Sequence, residues 1–202
     1  MIHARLRRLG YPSVDRGAFE SFQKFKDARE TADAELLAIL AEISRQAGAA
    51  AALPRQGEPP AETASLGEYG DWLSLKRLAA YAEAGRLAPA LPPGSDLTAD
   101  PALAPYLNHE KAPARFAHLL LHAESQGYFV PFSFPLPFWV PEPGVSVGSA
   151  PEMEKELGAL EEFLQRHAPP GAFTKERELA GRIGAICREA AGKLLTVELF
   201  TA

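Results

Sequence analysis

Apolar residues recur every three or four positions in six stretches of the chain, which makes helix the dominant predicted element. This repeat places one face of a helix toward a core. The stretches predict helices over residues 17–29, 32–48, 71–84, 112–125, 149–167 and 174–192. Residues of the types that cap helices precede most of these stretches, and the expected N-caps are Asp15, Thr31, Asp71, Ser149 and Thr174.

Aromatic and β-branched residues are concentrated in two shorter stretches, Tyr128–Phe134 and Leu194–Phe200, which are typical of strands. Gly127 is expected to end the helix that precedes the first of them, because glycine reaches positive φ without steric cost. A third strand is expected near Ile2–Leu6. The predicted fold is helix-dominated α+β, with five to six helices and a small sheet of two or three short strands, in which Tyr128–Phe134 pairs with Leu194–Phe200.

Composition shifts to alanine, proline and glycine over residues 49–67, where no periodic pattern remains. Such a stretch is typical of a linker or mobile loop. We therefore predict an N-terminal helical segment (1–50), a linker or loop (51–66) and an α+β core domain (67–202). Within the core, residues 86–108 are rich in proline and small residues, and they predict a long connection with one helical turn near 99–106.

The overall balance is that of a soluble globular protein, with 47% apolar and 23% charged residues. The net charge of −5, with acids and bases interleaved, argues against nucleic-acid or anionic-membrane partners. A single cysteine, Cys187, excludes an internal disulfide and favours a reducing compartment. The N-terminus lacks a signal-peptide core, and no apolar run has the length of a membrane span, so a cytoplasmic location is expected.

The sharpest chemical signal is a pair of histidines, His118 and His122, four residues apart on the predicted helix 112–125. Histidines at i and i+4 can share a metal ion such as zinc, although the metalloprotease pattern has glutamate where Leu119 stands here. A third ligand would come from Glu124, His109, Glu110 or a remote residue. The competing interpretation is that the two histidines form a solvated or partner-facing side of the helix, opposite its apolar stripe.

Three segments together resemble an uncharacterised group of small bacterial proteins: GEYGDWLSLKRLAAYA, FAHLLLHAESQGYFVPFSFPLP and VGSAPEMEKELGALEEFL. In that group, a histidine-rich helix runs into a Gly-Tyr-aromatic-x-Pro strand, usually with His-Ser-Asp before the turn. This chain has His122-Ala123-Glu124 there instead. The resemblance covers less than half of the chain and implies no activity, since none is assigned to the group.

The favoured function is an interaction or accessory protein, of immunity or regulatory type, that binds a protein partner through the aromatic residues Phe134, Phe138 and Trp139. The alternative is a metal-dependent or acid–base enzyme centred on His118, His122 and Glu124, with His109 and Tyr128 as further candidates. A weaker third interpretation is a ligand pocket between residues 86–108 and the aromatic strand. No cofactor is evident apart from the metal, and a homodimer through the aromatic edge is a further option.

Overall fold

The computed structural model describes residues 1–7, 22–47, 63–92, 94–123, 127–141 and 144–201, which form one six-stranded sheet flanked by helices. The helices are α1 (Phe22–Ala47), α2 (Tyr69–Glu83), α3 (Ala104–Leu107), α4 (Ala117–Leu121), α5 (Ala150–His167) and α6 (Thr174–Lys193). The strands are β1 (Ile2–Arg7), β2 (Thr63–Gly67), β3 (Gly127–Val130), β4 (Phe138–Val140), β5 (Val145–Ser149) and β6 (Thr196–Thr201). None of the helices in these ranges combines the length and apolar character needed to cross a membrane.

The strands lie in the order β2-β1-β6-β3-β5-β4, and only the β3–β5 pair is parallel. The prediction of a small sheet with two or three strands was therefore wrong. The expected pairing is present, because β3 lies antiparallel to β6 with Phe129 opposite Val197. The strands missed from sequence are β2, β4 and β5, which are three to five residues long and rich in small or proline-flanked positions.

The two faces of the sheet carry separate cores, because side chains alternate along each strand. Phe129, Val197 and Leu199 point to one face, where α2, α5 and α6 cover them. Tyr128, Val130 and the valines of β5 point to the other face and pack against Ile39 and Ile43 of α1. β1 follows the same alternation, with Ile2, Ala4 and Leu6 all buried on the helix-rich side.

Three predicted helix features in the N-terminal half were wrong in detail. Residues 22–47 form one continuous helix of 26 residues, not two. Thr31 is not an N-cap, since its hydroxyl donates to the carbonyl of Asp27 within that helix. The true N-cap of α2 is Glu68, which shares a capping box with Asp71. Asp15, the other predicted cap, lies outside the described residues.

The C-terminal helices agree closely with the sequence pattern. Ser149 is the N-cap of α5, and its hydroxyl accepts from the Glu152 amide at 3.1 Å. α6 begins at Thr174, although the cap position itself is Phe173 in a left-handed conformation. The predicted linker 51–66 is described only from Thr63, and from there it forms β2. The boundary between the N-terminal segment and the core domain stays a prediction. In the sheet, β1 of the N-terminal segment lies between β2 and β6.

The long connection 86–108 contains a short 3₁₀ turn (Leu97–Ala99) and α3, and it is held by a buried ion pair. Arg77 Nε lies 2.5 Å from Asp100 Oδ2, and a second guanidinium nitrogen donates to the Pro89 carbonyl at 2.9 Å. Leu103 and Tyr106 enter the helix-side core, whereas Tyr128 and Val130 point to the opposite face. Phe129 of the same strand lies in the helix-side core with Leu103 and Tyr106, so the pocket between residues 86–108 and the aromatic strand stays a prediction.

Two glycines on neighbouring strands open a slot in the helix-side face of the sheet. A Cβ added at Gly148 would lie 2.7 Å from the Phe129 ring and 2.8 Å from His122 Cδ2. A Cβ added at Gly127 would collide with the Ser146 carbonyl and lie 2.8 Å from His122 Cε1. Gly127 lies within β3 at negative φ, so the prediction that it caps a helix was wrong. Its role is to leave room for the His122 ring.

Gly148→Ala is expected to lower the free energy of unfolding by about 2 kcal/mol, because the new methyl group must displace two packed rings. Gly158→Ala is the matched control, since nothing lies within 4 Å of a Cβ added at that exposed helical position. The control should be stabilised by about 0.5–1 kcal/mol through helix propensity. Urea unfolding of both variants measures the difference, and equal effects would contradict the tight packing around Gly148.

Candidate functional site

The predicted histidine helix is much shorter in the structure, where α4 has only five residues. A helix of this length is not stable in isolation, because nucleation costs more than so few hydrogen bonds return. Its N-terminus is held by Glu156 of α5. One carboxylate oxygen accepts from the His118 amide at 2.9 Å, and the other accepts from the Leu119 amide at 2.8 Å. This carboxylate takes the place of an N-cap side chain.

The C-terminal end of α4 is held by a buried lysine from α2. Lys76 Nζ donates to the backbone carbonyl of His122 at 2.8 Å, one residue beyond the helix. An anion at the N-terminus and a cation at the C-terminus both complement the helix dipole. Lys76 and Glu156 therefore fix the short helix between α2 and α5 by charge at both ends.

The segment leading into α4 is fixed by a third carboxylate, that of Glu83 at the end of α2. It accepts from the backbone amides of Ala114, Arg115 and Phe116 at 3.3, 2.7 and 2.8 Å. These amides would be a first helical turn if the helix began at residue 112 as predicted. In the structure they bind Glu83, and α4 begins five residues later than predicted.

The His122 ring lies flat in the glycine slot, stacked on Phe129 with ring centroids 4.1 Å apart. Its Nε2 lies 3.0 Å from the Tyr128 carbonyl, and because a carbonyl only accepts, this nitrogen carries the hydrogen. The side chain is only 2% exposed. The pKa of His122 is lowered to about 3, chiefly by burial and in addition by the positive charge of Lys76, while the hydrogen bond to the Tyr128 carbonyl acts in the opposite direction. The ring is therefore neutral at physiological pH.

The His118 ring is also fully buried, between α5 and the aromatic segment. Its Nδ1 lies 3.0 Å from Glu156 Oε1, and its ring meets Phe134 edge-on at a centroid distance of 5.6 Å. One nitrogen of each histidine, Nε2 of His118 and Nδ1 of His122, is buried without a hydrogen-bond partner. The prediction that these residues form a solvated or partner-facing side of the helix was wrong.

The other candidate residues for acid–base chemistry do not gather around the histidines. His109 is exposed in a turn after α3, with a positive φ of 57°. The Tyr128 side chain points to the α1 face of the sheet, opposite to His122, and only its carbonyl reaches the ring. Glu124 lies outside the described residues. In the described ranges no three His, Cys, Asp or Glu residues are grouped to hold a metal, and binding by His118 and His122 stays a prediction.

The predicted partner-binding aromatics differ in their exposure. Phe134 is buried in the core beneath α1, and Phe138 packs beside it with ring centroids 5.3 Å apart. Trp139 is 56% exposed. Of these three side chains Trp139 is exposed, Phe138 is half-buried and Phe134 is buried, so Phe134 does not fit the predicted role of a surface anchor. The role of the segment in partner binding stays a prediction.

Sequence reasoning missed the two residues that organise the site, Lys76 and Glu156. A signal was present, because each interrupts the apolar stripe of its own helix. Glu156 lies among Met153, Leu157 and Leu160, and Lys76 lies among Trp72, Leu75 and Ala79. A charged residue in a buried stripe must find a partner, since burial of an unpaired charge is costly.

Comparison with known proteins gives a family. A family model described as "Putative DNA-mimic protein" matches residues 18–190, and the chain belongs to this family. No curated protein and no solved structure matches the chain. Membership agrees with the resemblance to an uncharacterised group, although the motif on which that resemblance rested stays a prediction. The family description points to a protein-interaction role.

Glu156→Gln is expected to lower the free energy of unfolding by about 3 kcal/mol, because a charged acceptor of two buried amides and one imidazole is lost. Hydrogen exchange of the amides of residues 117–121 should accelerate more than that of α6. Glu162→Gln on the exposed side of the same helix is the control, with a change within about 0.5 kcal/mol. Equal protection of α4 in both variants would contradict the role of Glu156 in holding the start of this helix.

Stability should decrease as the pH falls from about 6.5 toward 3, with His122 contributing a slope of up to about 1.4 kcal/mol per pH unit. The unfolded chain binds a proton at this residue below its ordinary pKa of 6.5, whereas the folded chain does not until about pH 3. His122→Gln should remove this part of the slope, and the exposed His167→Gln should leave it unchanged. Chemical unfolding at several pH values measures it. An unchanged dependence of stability on pH in His122→Gln would contradict the conclusion that this ring is buried in its neutral form.

Proposed function

We propose that this protein binds a DNA-binding protein on the surface with which that partner contacts DNA, using exposed carboxylates in place of phosphates. The observation that carries the proposal is the family match, which runs from just before α1 to near the end of α6. The net charge of −5 has the required sign. Attraction between a negative surface and a basic DNA-binding surface gives fast, salt-dependent association.

Helix α5 offers a suitable carboxylate row. It carries five glutamates against only two cations, Lys155 and Arg166, apart from His167 at its end. One glutamate, Glu156, is turned inward to hold α4. The remaining four side chains reach solvent along a helix about 27 Å long, and they are Glu152, Glu154, Glu161 and Glu162.

All four of these carboxylates are held by exchangeable surface ion pairs, and Glu152 contacts Lys155 of the same helix at 2.7 Å. Glu154 and Glu161 contact Arg188 and Arg177 of α6, each at 2.6 Å. Glu162 contacts Arg166 at 3.5 Å. Surface ion pairs of this kind contribute about 0–1 kcal/mol each. Lysine and arginine side chains of a partner can therefore replace the local cations at small cost.

The direct test is competition between this protein and duplex DNA. Purified DNA-binding proteins of several classes, including helix-turn-helix and minor-groove architectural proteins, are loaded with a fluorescent duplex. Addition of the protein should displace the duplex from at least one class, seen as a fall in fluorescence anisotropy. The logarithm of the affinity should fall linearly with that of the salt concentration, as for DNA itself. A titration of the duplex alone tests the predicted lack of nucleic-acid binding.

Charge variants of α5 determine whether its carboxylates carry the binding. The triple variant Glu154→Gln, Glu161→Gln and Glu162→Gln should weaken displacement at least tenfold and reduce its salt dependence. Lys155→Gln on the same helix is the matched control of opposite sign, and it should strengthen binding. Partner binding that duplex DNA and salt leave unaffected would contradict the proposed function. Binding that competes with DNA but ignores both variants would move the carboxylate surface away from α5.

A further inference from the structure

We draw no further inference here: the strongest candidate, the open groove between α5 and α6 beside Gly158, Gly181 and Gly184, is lined by two arginines already paired with its two carboxylates, and nothing in the described part of the chain shows what covers it.

Discussion

The five-residue helix α4 depends on two buried charges. Glu156 binds its first amides and Lys76 binds the carbonyl just after it, so the charges complement the helix dipole at both ends. Each charge is almost fully buried, so the loss of its contacts with the helix would be costly. The arrangement ties together α2, α5 and the segment that leads into β3. The packing of the helix layer on the sheet follows from it.

Two glycines in the sheet make room for His122, the residue that follows α4. Gly127 and Gly148 open the slot in which His122 lies against Phe129, and a methyl group at either position would collide with its neighbours. A neutral imidazole fits such a site, because it can donate to the Tyr128 carbonyl without bringing a charge into the core. The stacked ring of His122, the two glycines beside it and its lowered pKa all follow from this one packing arrangement.

The two histidines that suggested catalysis both take part in the packing of the interior. His118 and His122 are turned inward and hold elements together, and the surface carries the features that suit recognition. Membership of the DNA-mimic family directs attention to carboxylates, and α5 is a helix that places four of them at the surface while a fifth organises the interior. The same helix thus links the core of the protein to its proposed function.

The sequence by itself determined α2, α5, α6 and β1, because periodic apolar positions act locally. The pairing of β3 with β6 was predicted as well, since these stretches are rich in aromatic and β-branched residues. Tertiary structure decided what local patterns could not. β2, β4 and β5 are only three to five residues long, which is too short to be recognised before a sheet pairs them. α4 begins five residues after its predicted start, and the amides just before it bind Glu83, a residue more than thirty positions away. The histidines looked solvated on a helical wheel, and they are buried because remote glycines and a remote glutamate make room and bonds for them.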